Sequence, residues 1–396
     1  MDSDPARNAV VPDARPELVM LCNAQTPYRL ALHLRILREI PAMRLVSIFT
    51  HEVSNSPWVI DSPGEIGPIC FGQGESSETS LRHGLAEWRK GGKIIEHLRS
   101  LRAPVVVIHG YNDLGRLRVL RWCHSNGVPV FLWGDSNVRS EQNRWFLKRI
   151  KSRYVHYVVN RTLGTMVCGS LGRDFFLKYG ADPSKIFLVP YEPDYAQIES
   201  LSPTVIQEAA KKYGLSPGRR RIIYSGRLVP QKRVDLVLRA FVSIAKDRPD
   251  WDLVIAGDGV ERQKLQALVP EQLRTRVKWL GFVPDQSIVS ALYRNADVLC
   301  IPSEYEPWAL VVNEAAAAGL AIVSSSVVGA AAELVRDDVN GKVFENKDLE
   351  SLTCALRHVM APENVDRLKS GSRGVLKDWR LRGDPIAGLK KALLSI

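Results

Sequence analysis

Short apolar runs rich in Val and Ile alternate with longer amphipathic stretches along this chain, and the alternation restarts after about residue 199. A strand that reads as a near-continuous apolar run is buried on both faces. Such strands belong to parallel sheets covered by helices on each side. In the first half the clearest runs are "ELVMLCN", "RLVSIFT", "PVVVIHG" and "PVFLWGD"; "YRLALHLRILREI" and "NRWFLKRIKSRY" read as helices between them. The half closes with "KIFLVPYEPDY". The pattern resumes with "RIIYSG", "DLVIAGDG", "VKWLGF", "ADVLCIPS" and "LAIVSSS", separated by helical "VDLVLRAFVSIA", "SALYRNA" and "NEAAAAG".

A chain of 396 residues exceeds what one hydrophobic core usually organises. The prediction is an α/β protein of two Rossmann-like, doubly wound domains facing a cleft. Residues 1–17 read as a disordered start and 18–198 as the first domain, with 199–376 as the second and 377–396 as a basic helix that has the option of packing back on the first. Ligands of such sheets bind beyond the carboxyl ends of the strands, so the loops of both domains are directed at the cleft.

Apolar residues make up 45% and charged residues 24%, the balance of a folded globular chain. No apolar run reaches the roughly 18 to 20 residues that span a bilayer. The opening residues lack the apolar core of a signal peptide, and the six cysteines are scattered, so a reducing, cytoplasmic compartment is expected. Neither they nor the eight histidines stand at metal-ligand spacing, so no metal is called for. The net charge of +11 is uneven, with eleven Arg and Lys against Asp113, Asp135 and Glu141 over residues 102–161. That surface is either a solvated helix face or a contact for an anionic partner such as lipid headgroups at the inner membrane face. No nucleic-acid module accompanies it.

Three loops of the second half carry the chemistry. In "SEYEPWALVVNEAAAAG", Glu306 precedes a helix and Glu314 lies eight positions later inside it. Both can approach one ligand there, and the helix start over Pro307, Trp308, Ala309 and Leu310, with its free amides after the proline, suits an anionic or hydroxyl-rich group. Upstream, "YSGRLVPQKRVD" places Arg227 after Gly226 at a strand end and Lys232 five residues on. Two fixed cations of this kind stabilise a departing diphosphate without a metal. In "LVIAGDG", Gly257 and Gly259 permit a sharp turn and close approach to a ligand. The G-x-G-x-x-G of a nicotinamide-binding first strand is absent from both halves.

From residue 221 to 344 these segments resemble the retaining GT-B glycosyltransferases of the "group 1", E-x7-E type. The resemblance implies that Glu306 contacts the donor sugar, Glu314 the ribose hydroxyls and Arg227 with Lys232 the diphosphate, with Phe282 and Val283 against the nucleotide base. It implies a nucleotide diphosphate sugar as co-substrate and no cofactor. Where that family commonly has Gly after the Lys this chain has Arg233, and Trp308 and Ala309 replace the commoner Phe and Gly. In the first domain "CNAQTPYRLAL" is similar to a subgroup with a PYR loop. That assigns Thr26, Pro27, Tyr28 and Arg29 to the donor phosphates or the acceptor. Family members carry a His where this chain has Gly134, which leaves Asp135 and His109 as candidates near the reacting carbon. The implied activity is hexosyl transfer with retention to a saccharide or lipid-linked acceptor in surface polysaccharide biosynthesis. A nucleotide-sugar epimerase of the same fold and an inactive scaffold subunit are the alternatives.

Overall fold

The computed structural model describes residues 14–54, 58, 63–77, 84–141 and 145–396, the side chains of 145–148 excepted. Most of the expected N-terminal segment lies outside these residues, but Glu17 already opens the first strand, where its carboxylate accepts hydrogen bonds from Arg44 and from the Arg102 N–H.

The first sheet contains β1 (Glu17–Cys22), β2 (Arg44–Phe49), β3 (Ile69–Cys70), β4 (Val105–His109), β5 (Val130–Gly134), β6 (Gly164–Val167) and β7 (Ile186–Leu188). The second contains β8 (Arg220–Ser225), β9 (Trp251–Ala256), β10 (Val277–Gly281), β11 (Val298–Ile301), β12 (Ala321–Ser325) and β13 (Gly341–Phe344). The strand orders are β3-β2-β1-β4-β5-β6-β7 and β10-β9-β8-β11-β12-β13. Every pairing within them is parallel, with registers such as Leu18↔Leu45 and Ile222↔Leu253. Each order reverses direction once, at β1/β4 and at β8/β11, and the crevices of doubly wound sheets open at such points.

The strands are apolar on both faces because both faces are covered. Leu18, Met20 and Val107 pack into one core layer of the first sheet, Val19, Leu21 and Ile108 into the other. In the second sheet Ile222 and Leu253 face one layer and Ile223 and Val254 the other. The helix Pro27–Glu39 buries Leu30, Leu32 and Ile36, and its surplus apolar positions Leu34 and Leu37 pack partly against the same layer.

The basic tail is two helices rather than one. Pro362–Arg382 ends at Gly383, and Pro385–Leu393 starts under the Asp384 cap. Ile386, Leu389 and Ala392 join the core of the first domain, so the chain returns to the domain it began with. Full burial of Ile and Leu side chains contributes about 1.5–3 kcal/mol each, enough to hold this crossing in place.

Candidate functional site

Between the domains lies a cavity of about 910 Å³. The second domain supplies Ser225, Gly226 and Arg227 after β8, Gly257 and Asp258 after β9, Phe282 to Gln286 after β10, and Leu310, Val311 and Glu314 from the helix Leu310–Ala318. The first domain supplies Pro27, Tyr28, Leu34 and Trp58, and the connecting segment Asp194 and Gln197. Trp58 meets Phe282 edge-on, with ring centroids 5.5 Å apart. Gly257 is needed for chain-to-chain approach as much as for a ligand: at φ 146° a Cβ there would stand 1.9 Å from the Gly226 carbonyl oxygen.

Glu314 is the most perturbed acid of this wall. Tyr293 donates to one carboxylate oxygen and the Gln286 amide to the other, each at 3.0 Å. Burial nevertheless wins and pushes its pKa up to about 7. The other acids of the cavity are committed to backbone. Asp285 caps the helix Gln286–Arg294, Asp194 caps Tyr195–Glu199, and Asp258 binds the Gly259 N–H and Arg262.

Lys232 and Glu306 form an ion pair with each other and are not among the residues lining the cavity. The loops that carry them are laced together: the Glu304 N–H donates to the Gln231 carbonyl at 2.9 Å, and the Arg233 guanidinium lies 3.5 Å from the Glu304 carboxylate. Ser303 donates to Glu306 at 3.2 Å.

The loop after β5 fastens this assembly to the first domain. Asn137, buried, donates its side-chain amide to the carbonyls of Val327 at 2.8 Å and Glu306 at 3.3 Å. The Ser140 hydroxyl accepts the Glu306 N–H at 3.1 Å and donates to Val327 at 3.1 Å. Sequence reading missed both residues, because Asn and Ser in a loop carry no signal until their partners, 166 to 190 positions away, are known. Asp135, at the head of this loop, is open to water inside the cleft. Enclosure by the cleft walls raises its carboxyl pKa, and Glu306 across the interface raises it further, against a backbone N–H and Arg29. Gly134 has no room for a side chain: a Cβ would meet the Phe176 ring at 2.7 Å.

Several predicted residues are not brought to the cavity. Trp308 is buried, with its indole N–H donating to the Tyr191 carbonyl at 3.0 Å and its ring 5.9 Å from that of Trp379; it is a wedge between elements. Ala309 serves as the left-handed residue before the helix, at φ 76°, and Pro307 presents its carbonyl to Asn137. Thr26 is buried, and the buried Arg29 donates to the Ala24 carbonyl at 2.7 Å, so this cation props the loop from inside. Gly259 abuts the Leu228 backbone. His109 is buried against Trp133, with centroids 4.1 Å apart, and desolvation keeps it neutral.

One His and carboxylate cluster among the described residues has ligand atoms within 4.8 Å of one another, at His51, Glu75 and Glu87. Lys90 sits in its centre, donating to Glu87 at 2.9 Å and to Glu75 at 2.5 Å. An ammonium group holds the position a cation would take. No helix among the described residues is long and apolar enough to cross a membrane.

Residues 205–374 match the family model described as glycosyl transferases group 1. Over these residues the second domain is similar to that family. An uncharacterized glycosyltransferase of Methanocaldococcus jannaschii is 35% identical over 182 residues, which make up 46% of this chain and 42% of that one. The chain spans less than half the length of the relatives of this kind that it matches. Across both domains the architecture is GT-B. The sucrose-phosphate synthase of Thermosynechococcus elongatus superposes with a TM-score of 0.75 over 96% of this chain and 98% of that one, at 16% identity. Anabaena HepE, crystallised with UDP and glucose, gives 0.71 over 96% and 100% at 14% identity. The group 1 match covers the Arg227, Lys232, Glu306 and Glu314 loops, and the first domain shares the fold alone.

Proposed function

We propose that this chain is a glycosyltransferase that moves a sugar from a nucleoside diphosphate donor to an acceptor hydroxyl, with retention and without a metal. The observation that carries the reading is one cavity bounded by a cation, Arg227, by a buried carboxyl, Glu314, and by the Phe282–Val283 edge. Its volume falls within the range of small-molecule sites. Arg227 and the first amides of the helix Leu310–Ala318 take the diphosphate. Glu314 accepts from the ribose hydroxyls, and Phe282 and Val283 lie against the base. Glu306 orients the sugar, and Lys232 divides its charge between Glu306 and the diphosphate. The presence of UDP with the GT-B neighbour HepE supports a nucleotide donor of this class.

In the proposed reaction the bond from the anomeric carbon to the phosphate oxygen breaks as the acceptor oxygen bonds to the same face. The acceptor proton passes to the departing phosphate oxygen, so no enzymic nucleophile is needed. Arg227 stabilises the charge that grows on the diphosphate. Asp135 and Tyr28 face the acceptor side. The commitment of Asp194, Asp258 and Asp285 to helix caps, backbone and Arg262 supports a site whose cation is Arg227.

The test is slow hydrolysis of nucleotide sugars, which needs no acceptor. The released sugar is expected to keep the donor's anomeric configuration by NMR, turnover to survive EDTA, and Arg227→Ala to lower it by about 100-fold. An isomerised nucleotide sugar would point to the epimerase, and donor binding without turnover to a scaffold. For the acceptor we propose a saccharide or lipid-linked intermediate at the cytoplasmic membrane face. The helices Gly84–Ser100 and Leu114–Ser125 support this: they carry Arg99, Arg118 and Arg121 around Trp88 and Trp122. Sedimentation with anionic but not neutral vesicles tests that part.

A further inference from the structure

The segment 193–199 serves two cavities. Pro193, Asp194 and Gln197 line the donor cavity, whereas Glu199 lines a second one of about 670 Å³. Around this second cavity stand four cations, Arg294, Arg373, Lys377 and Arg380, and two acids, Glu199 and Asp384. The acids do not balance them. Asp384 receives a hydrogen bond from Arg35 at 2.8 Å, and Glu199 lies 4.0 Å from Arg380. Among the described residues, no carboxylate forms an ion pair with Arg294, Arg373 or Lys377. The Nη1 of Arg294 is buried with no acceptor, and burial together with the nearby Arg373 charge depresses the pKa of its guanidinium. Like charges gathered in one concavity, one of them partly desolvated, are unfavourable until an anion joins them.

The cavity is joined to the donor site by a single helix. Glu314 lies in Leu310–Ala318, and the carbonyl end of that helix closes on Gly319, where an added Cβ would stand 3.5 Å from the Arg373 Nε. Arg380 stacks over the Tyr195 ring at 4.4 Å, and the Tyr195 hydroxyl accepts the side-chain amide of Asn313 at 2.9 Å, one residue before Glu314. Charge neutralised at Arg373 and Arg380 therefore acts on the carbonyl end and, through Asn313, on the middle of the element that carries the predicted ribose contact.

We propose that this second cavity is a binding site for a phosphate dianion, free or as the phosphate group of a small monoester, and that its occupancy changes donor affinity through the helix Leu310–Ala318. The binding claim stands on these cations alone and does not require the donor assignment.

Calorimetric titration of the full chain with inorganic phosphate and with glycerol 3-phosphate, at ionic strength held constant with chloride, tests it. One phosphate site is expected in the wild type and in Arg227→Ala, whose donor cavity has lost its cation. Arg373→Gln, an exposed position that folding tolerates, should weaken that site at least about ten-fold, as loss of a charge-assisted contact does. Arg294→Gln should do the same. Tighter binding of the monoester assigns an organic phosphate, and equal binding assigns free phosphate. Phosphate should shift UDP affinity about five-fold in the wild type and not in Arg373→Gln. Absence of a phosphate site in the wild type would overturn the proposal. So would a site lost in Arg227→Ala but kept in Arg373→Gln, and an equal effect of phosphate on UDP binding in both proteins would remove the coupling.

Discussion

The Ser140 hydroxyl in the first domain accepts the backbone N–H of Glu306 in the second at 3.1 Å and donates its own proton to the Val327 carbonyl at 3.1 Å. Asn137, three residues earlier, reaches the Val327 carbonyl at 2.8 Å. Two polar side chains of one loop thus fix the height of the Glu306 loop relative to the first domain, and Asp135 belongs to the same loop. The spacing between Asp135 and Glu306 is set by these bonds, not by either acid.

Ser140→Ala leaves the Glu306 N–H without its partner, whereas the Val327 carbonyl keeps the Asn137 amide. An unmet buried group costs about 1–3 kcal/mol, and the loop that orients Glu306 is freed with it. Urea unfolding should show that loss, and donor turnover should fall further than Kd for UDP rises, because the predicted base and ribose contacts lie elsewhere.

Glu314 predicts a pH dependence. Its folded pKa is about 7, raised by burial from a reference of 4.5, so the folded chain holds a proton that the unfolded chain releases. A raised carboxyl contributes stability below pH 4.5 that is lost as pH climbs to about 7. The loss is on the order of 3 kcal/mol. Glu314→Gln should lack this slope between those limits when unfolding is followed by denaturant at a series of pH values. In the wild type, UDP binding near pH 7 should release protons, since a carboxylate accepting from ribose hydroxyls favours its charged form.

Ala309 and Arg233 both occupy left-handed backbone, at φ 76° and φ 49°. These are two of the positions where the resembling family commonly has Gly. The backbone demand is therefore kept while the residue differs. Ala309→Gly should raise stability by about 1 kcal/mol, the usual strain of a side chain in this region. Arg233→Gly should gain less, because its guanidinium binds Asp235 at 3.0 Å and Glu304 at 3.5 Å. Thermal and denaturant melts of the two variants make the comparison.

Gly134→His, which restores the residue of the resembling pattern, should destabilise the chain and fail to raise turnover. Its Cβ alone would enter the Phe176 ring at 2.7 Å. Overpacking of this kind typically costs about 1–3 kcal/mol. Phe176→Ala in the same chain should recover part of the stability.

The sheets were legible in the sequence because buried parallel strands are written as apolar runs, and the strands around Leu18, Val106, Ile223 and Leu299 are unbroken ones. β3, β6 and β13 were not: β3 is two residues long, and the four-residue β6 and β13 each open on Gly followed by a polar residue. Loop motifs located the Arg227 and Glu314 walls, since a cation or an acid at a strand or helix end is a local feature. The pairing of Lys232 with Glu306 was hidden, because each was read as a ligand contact and neither as the other's counter-ion. The same holds for Arg29 and Trp308, whose polar atoms find backbone carbonyls inside the fold.

Arg227 and Glu314 are proposed to serve one nucleoside diphosphate. Calorimetric titration of UDP and UDP-sugars into the wild type, Arg227→Ala and Glu314→Ala measures it directly. A single site is expected in the wild type, with each substitution weakening it by about ten-fold or more, the size of a lost charged hydrogen bond. Equal affinity in all three proteins would contradict it.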